Sequence, residues 1–126
     1  MGLSMKIEVR DIKNKGLGVA AVVRIAAGEV FEKAPIILYR AEEDEYLDKT
    51  AIGNFTYDWD CQYGAVVLGY GSLYNHSYHP NARYERDFMN KIMKYIALRD
   101  IEAGEEITIN YNGVIDDMSP TWFEVY

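Results

Sequence analysis

A mainly β protein built from short strands is what the amino-acid sequence predicts, and three observations carry that expectation. Apolar and polar residues alternate with a period of two in several stretches, as in Met5–Arg10 and Glu106–Tyr111. β-Branched and aromatic residues gather inside these stretches, and Gly, Pro, Asn or Asp punctuate the intervals between them. With 126 residues, 49% of them hydrophobic, the chain can bury one continuous core and is expected to form a single domain.

In chain order, Met5–Arg10 reads as a first strand and Val19–Val23 as a second, with Asn14-Lys15-Gly16-Leu17-Gly18 between them. Two glycines one residue apart suit either a tight hairpin or a close backbone approach to a ligand. A dinucleotide fingerprint is excluded, because Ala21 stands where the third glycine belongs and a strand follows in place of a helix. Val30–Tyr39 is a third strand around Pro35. Residues 42–50 form the one helical candidate: an acidic first turn (Glu42, Glu43, Asp44, Glu45) complements the helix dipole, and Gly53 follows as a stop. Ala82–Asp87, Ile92–Leu98 and Glu106–Tyr111 complete the strands, the last placing Ile107, Ile109 and Tyr111 on one face and Thr108 and Asn110 on the other.

An internal echo links two of the turns. Ile25-Ala26-Ala27-Gly28-Glu29-Val30 and Ile101-Glu102-Ala103-Gly104-Glu105-Glu106 lie at equivalent places, each just before a β run. Both predict a corner at which glycine takes a positive φ.

Charge and cysteine content narrow the function classes. Thirteen basic against 20 acidic residues give a net charge of −7, which disfavours direct nucleic-acid binding and favours a cationic partner or simple solubility. A single cysteine, Cys61, forms no intrachain disulfide and supports no multi-cysteine zinc cluster, in keeping with a reducing, cytoplasmic or other intracellular setting. No apolar run reaches the length of a signal peptide or a membrane span, so no membrane partner is expected.

The polar stretch Leu73-Tyr74-Asn75-His76-Ser77-Tyr78-His79-Pro80-Asn81 stands out in an apolar half of the chain. His76 and His79 lack further His or Cys ligands, so a metal site is not expected. Ser77 beside His76 has no nucleophile-elbow context. Taken in order, Gly16-Leu17-Gly18, Asn75-His76-Ser77 with Pro80-Asn81, and Gly104-Glu105-Glu106 leading to Tyr111 resemble the SET domain of protein lysine methyltransferases. The resemblance spans roughly residues 7–111 and is nearest to the minimal stand-alone forms of viruses and bacteria. Each motif alone is weak; the three in this order and spacing are specific.

The resemblance implies a β-clip fold of several small sheets with a C-terminal pseudoknot and one or two short helices. It implies S-adenosylmethionine as methyl donor, with no metal, and a lysine-containing, histone-type protein or peptide as substrate. Lys15, Gly16, Leu17 and Gly18 would border the methionine part of the cofactor, and Asn75 and His76 would hold it. Tyr111 matches the catalytic tyrosine, beside the cofactor. Tyr57, Tyr70 and Tyr74, from a complement of 11 tyrosines, are candidates for an aromatic wall around the substrate lysine.

Departures from the family are visible too. Residues 112–126 form a short tail in place of a cysteine-rich segment, and its Trp122, with Phe123 and Tyr126, is a candidate to cover the adenine, seal the core or form a homodimer contact. Tyr78 stands where the family commonly has cysteine. A non-catalytic SET-like β module that binds a basic peptide or small ligand is the alternative, since fold does not guarantee activity.

Overall fold

The computed structural model describes residues 6–111 and Met118. Among them nine strands run in the order β1 (Ile7–Ile12), β2 (Gly16–Ala21), β3 (Val30–Arg40), β4 (Thr56–Asp58), β5 (Tyr63–Val67), β6 (Asn75–His76), β7 (Ala82–Asp87), β8 (Ile92–Ala97) and β9 (Glu106–Ile109). The short helix α1 (Asp44–Leu47) lies between β3 and β4 and is flanked by 3-10 turns at Ala41–Glu43 and Ala51–Phe55. One sheet has the order β1-β2-β9-β6 and the other β4-β5-β3-β8-β7.

β3 belongs to two ladders, and Pro35 marks the change. Val30 to Pro35 pairs with β8, and Ile36 to Arg40 pairs with β5. Proline donates no hydrogen bond, so a ladder that changes sides at this residue wastes no donor. A second irregularity lies upstream, where the register against β8 shifts between Val30 and Glu32. This bulge breaks the in-out alternation, so that the adjacent Phe31 and Glu32 are both buried, at 4% and 5% exposure.

The two echoed corners meet each other. Ile25 and Ile101 form an antiparallel bridge with reciprocal N–H to C=O bonds of 2.8 Å, and both are fully buried. Gly28 and Gly104 take φ of +82° and +87°, a conformation a β-carbon would penalise, so each corner reverses the chain at the expected glycine.

β9 is the strand on which the site depends. It runs antiparallel to β2 on one side and parallel to β6 on the other, pairing Asn75 with Thr108 and His76 with Ile109. The chain between β6 and β9 contributes the hairpin β7–β8 to the second sheet before it returns. This non-sequential order, with several small sheets, is in keeping with the β-clip expectation. Ile107 and Ile109 are completely buried, each worth about 1.5–3 kcal/mol in apolar burial. The expected polar face is buried too, with Thr108 in β9 at 9% and Asn110 just past it at 3% exposure, because a central strand is covered on both sides.

Other expectations needed correction. The helix over 42–50 shrinks to one α turn between 3-10 turns, and Gly53, expected as a stop, sits inside the second of these. Acidic residues alone provide no buried face: no residue of α1 or its flanking turns is buried. β4, β5 and β6 were not expected, since they are only a few residues long and carry Gly64 or the polar Asn-His pair.

Asn81 fastens β9 in place. It is 3% exposed; its Oδ1 accepts the Thr108 N–H at 2.8 Å and its Nδ2 donates to the Glu106 carbonyl at 2.7 Å. Asn81→Ala leaves both backbone groups without these partners and is expected to lower unfolding free energy by about 2–4 kcal/mol in urea titration; a loss under about 0.5 kcal/mol, the scale of a neutral surface change, would contradict this role.

Candidate functional site

The site begins at the β1–β2 hairpin. A turn closed by the Lys15 N–H on the Ile12 carbonyl, at 3.0 Å, contains Asn14 with φ +67° and leads into Gly16 with φ +79°. Gly18 is needed for room: a β-carbon there would lie 2.6 Å from Asn75 Nδ2 and 2.9 Å from Glu106 Oε2. The motif is therefore both a hairpin and a close-approach surface.

Three polar side chains converge beside Gly18. Asn75 Nδ2 donates to the Leu17 carbonyl at 3.1 Å and to Glu106 Oε2 at 2.8 Å, while Lys15 Nζ bonds Glu106 Oε1 at 2.8 Å. Lys15 and Glu106 side chains are only 16% and 17% exposed, so the pair is screened less than a surface ion pair. This cluster ties β2, β6 and β9 together. Glu106, which ends the Gly-Glu-Glu motif, joins this cluster and was not singled out from the sequence.

One step along β6, His76 is 2% exposed. Its Nδ1 accepts the Tyr111 N–H at 2.9 Å, which requires that nitrogen to be unprotonated. Burial, with a smaller contribution from Lys15, lowers its pKa and favours that neutral state. The Tyr111 ring then lies 5.3 Å from the His76 ring, and its hydroxyl donates to the Tyr74 carbonyl at 2.5 Å. Burial, and secondarily the Glu106 charge, push the Tyr111 phenol up to about 12, so it remains a neutral donor at ordinary pH.

Tyr111 lines a cavity of about 200 Å³ whose walls include Tyr57, Tyr74, Tyr84, Gly71 and Arg86. Tyr57 and Tyr84 meet edge to face at 5.0 Å. The Tyr57 hydroxyl donates to the Gly71 carbonyl at 2.7 Å and accepts from the Tyr95 hydroxyl at 3.0 Å. Burial raises the pKa of Tyr57, Tyr74, Tyr84 and Tyr95 and keeps these four phenols uncharged, while Asp58 and Arg86 give the lining one charge of each sign.

Of the expected wall, Tyr57 and Tyr74 border this cavity and Tyr70 is not among its lining residues. Tyr74 differs from expectation in its orientation: its side chain is in the core, against Phe31 and Tyr95, and its carbonyl receives Tyr111. Tyr84 and Tyr95 were not singled out from sequence. Both lie in strands whose pattern was legible, but nothing in that pattern says which strand face meets a cavity. Trp122, Phe123 and Tyr126 lie outside the described residues. Among the described residues no three His, Cys, Asp or Glu side chains are grouped to hold a metal ion.

Comparison with known proteins identifies the family. Residues 16–112 match the SET domain family model. A Schizosaccharomyces pombe protein named histone-lysine N-methyltransferase, H3 lysine-37 specific, is 34% identical over 119 residues, covering 94% of this chain and 77% of that protein. A Yarrowia lipolytica protein named histone-lysine N-methyltransferase, H3 lysine-36 specific, is 31% identical over 84% of this chain but only 15% of its own length. A crystal structure of a Plasmodium falciparum candidate histone methyltransferase superposes with a TM-score of 0.72 at 28% identity, covering 98% of this chain and all of that one. With the family model spanning most of its length, and with the hairpin, the Asn-His strand and the terminal tyrosine folded against one another, the chain belongs to the SET domain family.

Proposed function

We propose that this protein is an S-adenosylmethionine-dependent protein lysine N-methyltransferase whose substrates are histone-type proteins. The observation that carries the proposal is the double anchorage of Tyr111. Its N–H is held by His76, next to Asn75, while its hydroxyl is held by the Tyr74 carbonyl on the wall of the tyrosine-lined cavity. One residue thus joins the hairpin-side cluster to the cavity. The names of the relatives, which describe histone-lysine methyltransferases, support the same substrate class.

The donor set beside Gly18 fits the methionine part of the cofactor. Backbone at Gly16–Gly18 is free of β-carbons at the two glycines, and Asn75 Oδ1 accepts no hydrogen bond among the described residues, which leaves it open to an ammonium. Lys15 and Glu106 offer one charge of each sign. When bound, the cofactor supplies an electrophilic methyl group on a sulfonium. Lys15, the Gly16–Gly18 backbone, Asn75 and His76 are assigned to holding it.

The rest of the work falls to the cavity. A lysine ammonium must lose its proton to water before its lone pair is nucleophilic; partial desolvation by the tyrosine rings and the like charge of Arg86 disfavour the ammonium, against the Asp58 carboxylate in the same lining. The rings of Tyr57 and Tyr84 surround the stem and attract cationic character by about 0.5–2 kcal/mol. The Tyr111 hydroxyl, a fixed neutral dipole, orients the amine for in-line attack. No covalent enzyme intermediate is needed.

Removing that hydroxyl in Tyr111→Phe is expected to lower kcat on a histone H3 peptide by about 10²-fold while the circular-dichroism melt stays near wild type; unchanged turnover would refute the assigned role. Because the phenol is pushed up to about 12, its donor form persists as pH rises. Single-turnover rates should therefore climb through pH 10 as substrate lysine deprotonates, whereas an alkaline fall centred near 10 would mean that Tyr111 titrates like an ordinary tyrosine. Calorimetric titration separates enzyme from non-catalytic module. S-Adenosylmethionine should bind at micromolar or tighter affinity, weakened at least about tenfold in Asn75→Ala, and absence of binding at millimolar concentration would favour the module.

A further inference from the structure

Glu32 is a carboxylate in the core with no place in the mechanism above. The β3 bulge turns it inward, to 5% exposure, where an apolar side chain would be the cheaper occupant. Both of its oxygens are used: Oε1 accepts the Tyr74 hydroxyl at 2.6 Å and Oε2 accepts the Tyr70 N–H at 2.9 Å. These two donors are the two ends of one segment, residues 70–74.

Between and at those ends lie the carbonyls that hold the tyrosine hydroxyls. Gly71 O accepts the Tyr57 hydroxyl at 2.7 Å, and Tyr74 O accepts the Tyr111 hydroxyl at 2.5 Å. A segment pinned at one end only could pivot and carry these acceptors with it. Burial pushes the Glu32 pKa up and these two bonds oppose the rise; each carboxyl oxygen meets its own donor, so one side chain restrains both ends, whereas an amide offers an accepting oxygen at only one of them.

We propose that Glu32 is a positioning residue of the transferase: it clamps residues 70–74 and thereby fixes the carbonyl that aims the Tyr111 hydroxyl. The inference rests on the methyltransferase function proposed above. Glu32 touches neither the cavity nor the cofactor cluster, and acts through Tyr74. It also gives Tyr70, absent from the cavity lining, a role through its backbone.

The test is a double-mutant cycle with a structural readout. Glu32→Gln retains size but can accept only one of the two bonds. Tyr74→Phe removes one donor and leaves the carbonyl in place, and serves as the second variant if Glu32→Gln folds poorly. Each is measured in the wild-type and Tyr111→Phe backgrounds, for kcat on a histone H3 peptide and for affinity toward S-adenosylhomocysteine. Amide exchange at Tyr70 and Tyr74 is followed in parallel. Expected for Glu32→Gln are a kcat loss of about tenfold in the wild-type background, less than about twofold in Tyr111→Phe, unchanged cofactor affinity, and faster exchange at Tyr70. Tyr74→Phe should show the same loss confined to the wild-type background. Equal kcat losses in both backgrounds would overturn the proposal, as would unaltered Tyr70 exchange. A wild-type protein that transfers no methyl group would refute the underlying function instead, and exchange at Tyr70, which needs no turnover, tells the two failures apart.

Discussion

Everything in the site depends on the parallel pairing of β6 with β9. Two residues of β6 meet two of β9, and that register places Asn75 beside the hairpin and His76 where it can take the Tyr111 N–H. Parallel pairing of so short a strand is weak in itself. It is held by what surrounds it: the bond from the Ser77 N–H to the Ile109 carbonyl at 2.9 Å, the Asn81 bridge to Glu106 and Thr108, and the buried Ile107 and Ile109 beneath. Placing β9 between β2 and β6 costs chain entropy, and it brings residues more than 30 positions apart in sequence to one place.

A second constraint is the satisfaction of buried polar groups. Glu32, His76, Asn81, Thr108 and Asn110 are all buried. Each such group destabilises the fold if left unpaired, and together their bonds define where backbone carbonyls and tyrosine hydroxyls point. The chain thereby obtains a cavity in which the Tyr57 and Tyr111 hydroxyls are anchored on main-chain acceptors. Flexible surface loops could not hold them as well.

Most of the strand pattern was legible, and the reason is local. β1, β2, β3, β7, β8 and β9 alternate or cluster β-branched residues, and the echoed Gly28 and Gly104 announce their corners. What escaped was non-local. β6 is two polar residues long and exists because β9 is there to pair with it; β5 owes its state to the far half of β3, and β4 to β5. The site followed the same division. Gly18, Asn75, His76 and Tyr111 lie in motifs with chemical character, whereas Glu32, Tyr84 and Tyr95 become visible only when a bulge and a sheet face are known. The inward turn of the Tyr74 ring is of this second kind.

The central claim is that Tyr111 stands between a cofactor cradle and a lysine cavity. It is tested most directly by a crystal structure with S-adenosylhomocysteine and a lysine-bearing histone peptide bound together. The account predicts the cofactor's sulfur on the Gly18–Asn75 side, the lysine nitrogen in the cavity walled by Tyr57 and Tyr84, and the Tyr111 hydroxyl between them. A cofactor lodged within the tyrosine cavity, or a lysine bound on a surface away from Tyr111, would contradict it.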